Sequence, residues 1–203
     1  ILNALSAYLK SLVSEETPLD RYLSGDVNAL SASATRGLAL FQGKARCAQC
    51  HSGPMLTDER FHRLGVRDNP EVFNEPLRHI TFRRFFKTLG VEGYHALRED
   101  VGLAAITKEP QDKGKFKTPS LREVARTPPY MHNGTIESLE AVVEFYNQGG
   151  GDAVNKDPGL SPLGLSEQEK QDLVEFLRTL SGTETTVEAP PVPEYQLREL
   201  GKN

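Results

Sequence analysis

The chain has two cysteines, and both lie in one five-residue stretch, Cys47-Ala48-Gln49-Cys50-His51. C-x-x-C-H is the attachment signature of a c-type haem. The thiols add to the two haem vinyl groups, and the adjoining imidazole binds the iron. Two intervening residues let one turn of backbone span two vinyls on one porphyrin edge. Zinc sites and redox dithiols also use a C-x-x-C pair. A structural zinc site takes four ligands, usually from two such pairs, and there is no third cysteine. A redox dithiol does not need the His and belongs in a βαβ pattern, of which the sequence gives no sign. The expectation is one covalent haem c, with Cys47 and Cys50 on the porphyrin and His51 on the iron.

A second iron ligand has seven candidates: Met55, Met131, Tyr146, His62, His79, His95 and His132. Met131 fits the common His/Met pairing of electron-carrying cytochromes. Tyr146 ends a helical face, with Leu139, Val142 and Val143 at i, i+3 and i+4 and Tyr146 at i+7, so it sits on the buried side. The plainer reading of Tyr146 is a core aromatic with its hydroxyl hydrogen-bonded. The choice changes the chemistry. A phenolate is a hard, anionic oxygen donor that favours ferric over ferrous iron, whereas Met favours ferrous. A His/Tyr haem suits the sharing of oxidising equivalents and has no open sixth position.

Several elements must position these residues. Leu2, Leu5, Leu9 and Leu12 predict a helix over 2–13, and Pro18 should end any continuation. Residues 20–26 read as a polar connector with Tyr22 and Leu23 tucked inward. Ser31 or Ser33 should cap a helix carrying Leu38, Leu40 and Phe41 and closed by Gly43. That helix runs straight into the haem motif. From 52 to 118 regular structure is hard to find, and Pro and Gly punctuate the stretch. A loop region this long fits one that wraps a cofactor, with Phe61, Phe73, Phe82, Phe85, Phe86 and Tyr94 to cover it. Arg78, His79, Arg83, Arg84 and Lys87 form a basic cluster, either a solvated face or a surface for a partner or for haem propionates. A short helical turn is expected from Thr118. The prolines of Thr127-Pro128-Pro129-Tyr130 exclude regular helix there. A helix over 138–147 ends at Gly149-Gly150-Gly151. The last helix opens on a Ser166/Glu169 capping box, carries Leu173, Phe176, Leu177 and Leu180, and is stopped by Gly182. The fold class is all-α: a cytochrome c-like domain over 1–182 with long haem-wrapping loops, then a Pro/Glu-rich tail over 183–203.

At 203 residues, 37% hydrophobic and 26% charged, the chain suits one soluble domain. No apolar run is long enough to span a membrane. A net charge of -4 argues against nucleic acid. Haem attachment uses both thiols, so no disulfide is expected. It normally happens outside the cytoplasm, so the expected location is periplasmic. The chain starts at Ile1 rather than Met, and a signal peptide or a longer segment is expected upstream.

Four blocks carry a family resemblance: C-A-Q-C-H-S-G-P-x-x-T-D, F-K-T-P-S-L-R, T-P-P-Y-M-H-N-G and L-E-x-V-V-E-F-Y-N-x-G-G. Together they resemble the C-terminal haem domain of the bacterial dihaem cytochrome c peroxidase/MauG family, from about residue 2 to about residue 181. The resemblance implies two haem domains. The N-terminal haem meets peroxide and the C-terminal haem relays electrons, with a Trp and a calcium ion between them. This chain has one C-x-x-C-H and no Trp. It looks like the second half, and the peroxide-reducing haem is expected on a missing segment or another chain. Matching the P-Y-M-H-N-G block places Tyr146 at the family's ligand position, a Tyr in the MauG branch. Thr127 and Pro129 match positions whose carbonyls hold calcium, with a bare Pro-rich turn as the alternative. Arg122 is implied as a propionate partner, with a surface Arg as the alternative. His132 either donates near the haem or braces the loop. The function implied is an electron-relay domain of a MauG-like oxidoreductase. Its partners are an N-terminal haem domain and an electron-donor protein or protein substrate. Peroxide detoxification and modification of a partner protein both stay open. The alternative is a monohaem electron carrier without catalysis.

Overall fold

The computed structural model describes residues 2–11 and 16–183. Leu12 and nearly all of the expected tail lie outside that range. Among the described residues the chain is helix-rich, as expected. Helix α1 (Leu2–Ser11) leaves Leu2, Leu5 and Leu9 exposed. Thr17 caps α2 (Pro18–Leu23) in a capping box: its Oγ1 accepts from the Asp20 N–H, and the Asp20 carboxylate takes the Thr17 N–H at 2.9 Å. Pro18 therefore opens a helix, in the first-turn position where its missing N–H costs nothing. The six-residue helix turns Leu19 inward, and Leu23, expected inside, is 69% exposed.

Ser31 caps α3 (Ala32–Gln42) and Gly43 ends it, as the sequence predicts. The short α4 (Pro70–Asn74), the 13-residue α5 (Pro76–Thr88) and α6 (Ala104–Thr107) lie within the stretch expected to be irregular. A two-stranded antiparallel pair also lies there, β1 (Phe61–His62) with β2 (Phe116–Lys117). Helix α5 mixes β-branched, aromatic and cationic residues and shows no clean apolar period. Its start is nonetheless marked, since Glu75 accepts from the N–H groups of Leu77 and Arg78 and Pro76 stands at the first position.

Two cores result. The main one joins Phe41 and Ala45 to Leu139 and Val143 of α7 (Leu139–Asn147) and to Leu173, Val174, Phe176 and Leu177 of α8 (Glu167–Arg178). Helices α3 and α8 cross at backbone contact. A Cβ on Gly37 would stand 2.0 Å from the Asp172 carbonyl oxygen. Beside the crossing, the buried Asp172 carboxylate takes Arg36 Nε at 2.7 Å and Ser33 Oγ at 2.5 Å. Helix α8 keeps its predicted capping box and apolar stripe, but it ends at Arg178, before Gly182. The second core is small. Phe86, Val101 and Ala105 pack with Phe82 and Tyr94, and Phe73 meets Phe82 edge to face. These aromatics, expected to cover a cofactor, cover one another instead.

Candidate haem site

The site begins where α3 ends. Gly43 stops the helix, Arg46 turns the chain at φ 57°, and Cys47–Gln49 form a single 3-10 turn. The His51 N–H closes on the Cys47 carbonyl at 2.9 Å. Cys47, Cys50 and His51 thus face a cavity of about 760 Å³, within the ~300–1,000 Å³ typical of cofactor sites. Phe116, Leu121, Leu139, Val142 and Leu163 supply apolar lining.

His51 is oriented. Its Nδ1 lies 2.9 Å from the Leu56 carbonyl oxygen. A carbonyl only accepts, so Nδ1 carries the proton and Nε2 keeps its lone pair, the arrangement of a metal-ligating histidine. Burial holds the ring's pKa below its usual value, which keeps it neutral. The loop that presents Leu56 is tied down by the T-P-S-L-R block. Thr57 Oγ1 donates to the Thr118 carbonyl at 2.7 Å, Ser120 Oγ to Met55 O at 2.6 Å, and Arg122 Nε to Pro54 O at 2.9 Å.

That pattern corrects the reading of Arg122. Its guanidinium forks on the Asp20 carboxylate at 2.6 and 2.8 Å, and it is not on the cavity wall. Arg122 therefore braces the loop behind His51, with its guanidinium committed to Pro54, Thr17 and Asp20.

The surroundings of the thiols do not suit a redox couple. Burial pushes Cys47 up to about 12, and burial together with Asp58 and Asp157 raises Cys50. A redox dithiol needs a stabilised thiolate, which these surroundings suppress.

Tyr146 lines the cavity from the face of α7 that also brings Leu139 and Val142. Burial, then the neighbouring thiols Cys47 and Cys50, raises its phenol above the usual value. Its hydroxyl has no hydrogen-bond partner among the described residues, whereas Tyr130 donates to Val124 O at 3.1 Å. Met131 reaches the same cavity from a left-handed backbone position at φ 69°. Met55 is exposed, His95 is exposed on a distant turn, and His79 is buried against the Leu97 carbonyl at 3.0 Å. Those three are off the site.

His62 and His132 line the cavity too. His62 has both nitrogens committed, Nδ1 to Asp157 at 2.5 Å and Nε2 to Asp58 at 2.9 Å. Both partners are carboxylates, an arrangement that favours the doubly protonated ring. Burial opposes this charge, but the two carboxylates raise its pKa. This clamp, which the sequence reading missed, ties the segment after the haem motif to the 152–163 loop. Cys50, Asp58 and His62 also form the one metal-sized trio of side chains among the described residues, but the His is already spent on carboxylates. The His132 ring stacks on Phe116 at 3.5 Å and 12°. Thr127 and Pro129 stand on the wall beside Tyr130.

No protein-family model matches the chain. Cytochrome-c peroxidase IdrP2 of Denitromonas iodatirespirans is 47% identical over 203 residues, 100% of this chain and 54% of the relative. Methylamine utilization protein MauG of Methylorubrum extorquens is 37% identical over 198 residues, 94% of this chain and 46% of the relative. A crystal structure of a MauG-like protein associated with microbial copper homeostasis superposes with a TM-score of 0.67 at 30% identity, covering 88% of this chain and 55% of that one. The chain spans about half the length of the curated relatives it matches, and the half it matches is C-terminal. Sequence and fold meet on the same proteins, and this chain belongs to the bacterial dihaem cytochrome c peroxidase/MauG family as the counterpart of its C-terminal half.

Proposed function

We propose that this chain is the haem-bearing electron-relay half of a dihaem peroxidase of the cytochrome c peroxidase/MauG type. In this reading it passes oxidising equivalents between a peroxide-reducing N-terminal haem domain and an electron-donor protein or protein substrate. The observation that carries it is the unpartnered Tyr146 hydroxyl in the cavity that holds His51 and both thiols. Haem c, when bound, supplies reversible one-electron chemistry at its iron. The chain's residues do the rest. Cys47 and Cys50 would fasten the porphyrin. The Leu56 carbonyl aims His51 and keeps Nε2 bare. Tyr146 would be the second protein ligand to the iron, giving its phenolic proton to solvent, and peroxide would then be left to the partner domain. The cytochrome unit is 1–182, with 183–203 as an appended tail. Calcium held by the Thr127 and Pro129 carbonyls, completed from outside this chain, belongs to the same reading. So does an exported, periplasmic location. Among the described residues no helix is long and apolar enough to cross a membrane.

Denaturing mass spectrometry on protein from a host that matures c-type cytochromes tests the site. One haem retained on this region is expected, and an apo mass overturns the reading. Peroxide turnover tests the role: the isolated chain should turn over far more slowly than a protein carrying both haem domains. Equal rates would reject the relay. A second reading, a monohaem electron carrier, is favoured by one observation: Met131 lines the same cavity.

A further inference from the structure

Haem carries two carboxylates, and the Arg expected to hold one is taken by Asp20. The cavity wall offers other cations. Lys117 is paired with Glu59 at 2.6 Å, and Arg46 donates to Ser161 Oγ at 2.8 Å. Arg63 is different. It lines the cavity, it is half-buried, and its guanidinium has no hydrogen bond or ion pair with any described residue. Arg67 is also unpaired on this wall but exposed, so water serves it.

Arg63 is also held in place. A Cβ built on Gly114 would lie 3.3 Å from Arg63 Nε and 3.8 Å from its Cζ. The guanidinium therefore rests against bare backbone, at a residue whose φ of +71° favours glycine. On the chain side, the Arg63 carbonyl accepts the Asp157 N–H at 3.0 Å. The preceding residue is His62, fixed between Asp58 and Asp157. A half-buried cation without a counter-charge is unfavourable, and a carboxylate arriving in the cavity removes that cost through a two-pronged, charge-assisted contact.

We propose that Arg63 is the binding residue for a haem carboxylate, the role the sequence pointed to in Arg122. The inference rests on the covalent-haem reading and adds to it the residue that neutralises the propionate edge. A guanidinium there lowers the negative charge felt at the iron and so favours the ferrous state.

The test uses the full-length holoprotein with both haem domains. Arg63→Leu, Arg63→Lys and Arg122→Leu are compared by haemochrome content, by the propionate bending band in resonance Raman, and by the midpoint potential of this haem. Arg63→Leu should keep its covalent haem, shift the propionate band and lower the potential. Arg63→Lys should recover part of the potential but not the two-pronged band position. Arg122→Leu should lower the melting temperature and leave the band in place. An unchanged band and potential in Arg63→Leu at full haem content overturns the proposal, as does a propionate shift confined to Arg122→Leu. If Arg63→Leu does not accumulate, Arg63→Lys decides on the same band, and a wild-type band position there overturns it. Wild-type protein without covalent haem would instead bring down the haem reading itself.

Discussion

His51 and Leu56 form a pair across five residues: the imidazole Nδ1 donates to the Leu56 carbonyl oxygen at 2.9 Å, from a loop that bends to present it. Leu56 stands at φ 51°, a backbone region that non-glycine residues seldom occupy. Such a conformation persists when its surroundings over-determine it. The surroundings here are Thr118, Ser120 and Arg122, whose links tie down residues 54–57.

Ser120→Ala removes two hydrogen bonds, the 2.6 Å bond to the Met55 carbonyl and the one that Ser120 Oγ accepts from the Arg122 N–H at 3.1 Å. A neutral hydrogen bond is worth about 1 kcal/mol, so global stability should fall by about 1–2 kcal/mol. The more specific effect is local. Amide hydrogen exchange over residues 53–57 should quicken while α8 stays protected. Equal quickening in both would mean the link is not local to this loop.

Arg122→Leu should change how stability depends on pH. The side-chain bond from Arg122 is the largest influence on the Asp20 carboxyl and holds its pKa well below the usual carboxylate range. A carboxyl with a depressed folded-state pKa contributes stability above its unfolded value of about 3.9. That contribution is lost as pH falls from there toward the folded-state value. The melting-temperature gap between wild type and Arg122→Leu should therefore be largest near pH 7 and shrink as pH is lowered through about 4. A gap that stays constant down to pH 2 would separate Asp20 from the effect.

Gly37→Ala should be costly although alanine is the better helix former. Its Cβ would stand 2.0 Å from the Asp172 carbonyl oxygen and 2.7 Å from Phe176 Cβ. Helices α3 and α8 would have to separate, and overpacking of this kind costs about 1–3 kcal/mol. Because α3 delivers the haem motif, the same variant should mature less haem. A denaturation midpoint equal to wild type would show that the crossing is looser than its geometry.

The sequence made the frame of this site legible and left its supports hidden. Ser31, Gly43, Ser166 and the α7 and α8 stripes are local signals, and each falls where propensity and capping place it. Helix α5 was illegible because its residues serve a satellite core of Phe73, Phe82 and Phe86. A helix that packs on its own loops need not show a clean apolar stripe. The helix at Pro18–Leu23 was hidden for a related reason: a proline that bars continuation of one helix can also open the next, and only the Thr17–Asp20 box decides. Arg122 was visible as a chemically suitable residue, but its partner lies 102 positions away. The His62–Asp157 arm of the clamp spans 95 residues. Contacts at such separations follow from the tertiary fold, which local spacing does not encode.

The axial ligand is the decisive experiment. Tyr146 and Met131 both line the cavity, so the fold brings both candidates to one place. Their protein contacts separate them only in part. A buried phenol normally finds a hydrogen-bond partner, as Tyr130 does, and the Tyr146 hydroxyl finds none among the described residues. A cationic ferric iron would take that place and draw the phenol's pKa far below the raised value that burial alone imposes. Tyr146→Phe should then open the sixth position, shift the ferric haem toward high spin and raise its reduction potential, because an anionic ligand that favours ferric iron is gone. Met131→Leu should leave the iron spectrum nearly unchanged. If Met131→Leu instead abolishes a sulfur-to-iron charge-transfer band and Tyr146→Phe changes nothing, the haem is His/Met. A His/Met haem favours the ferrous state, and the electron-carrier reading then displaces the relay.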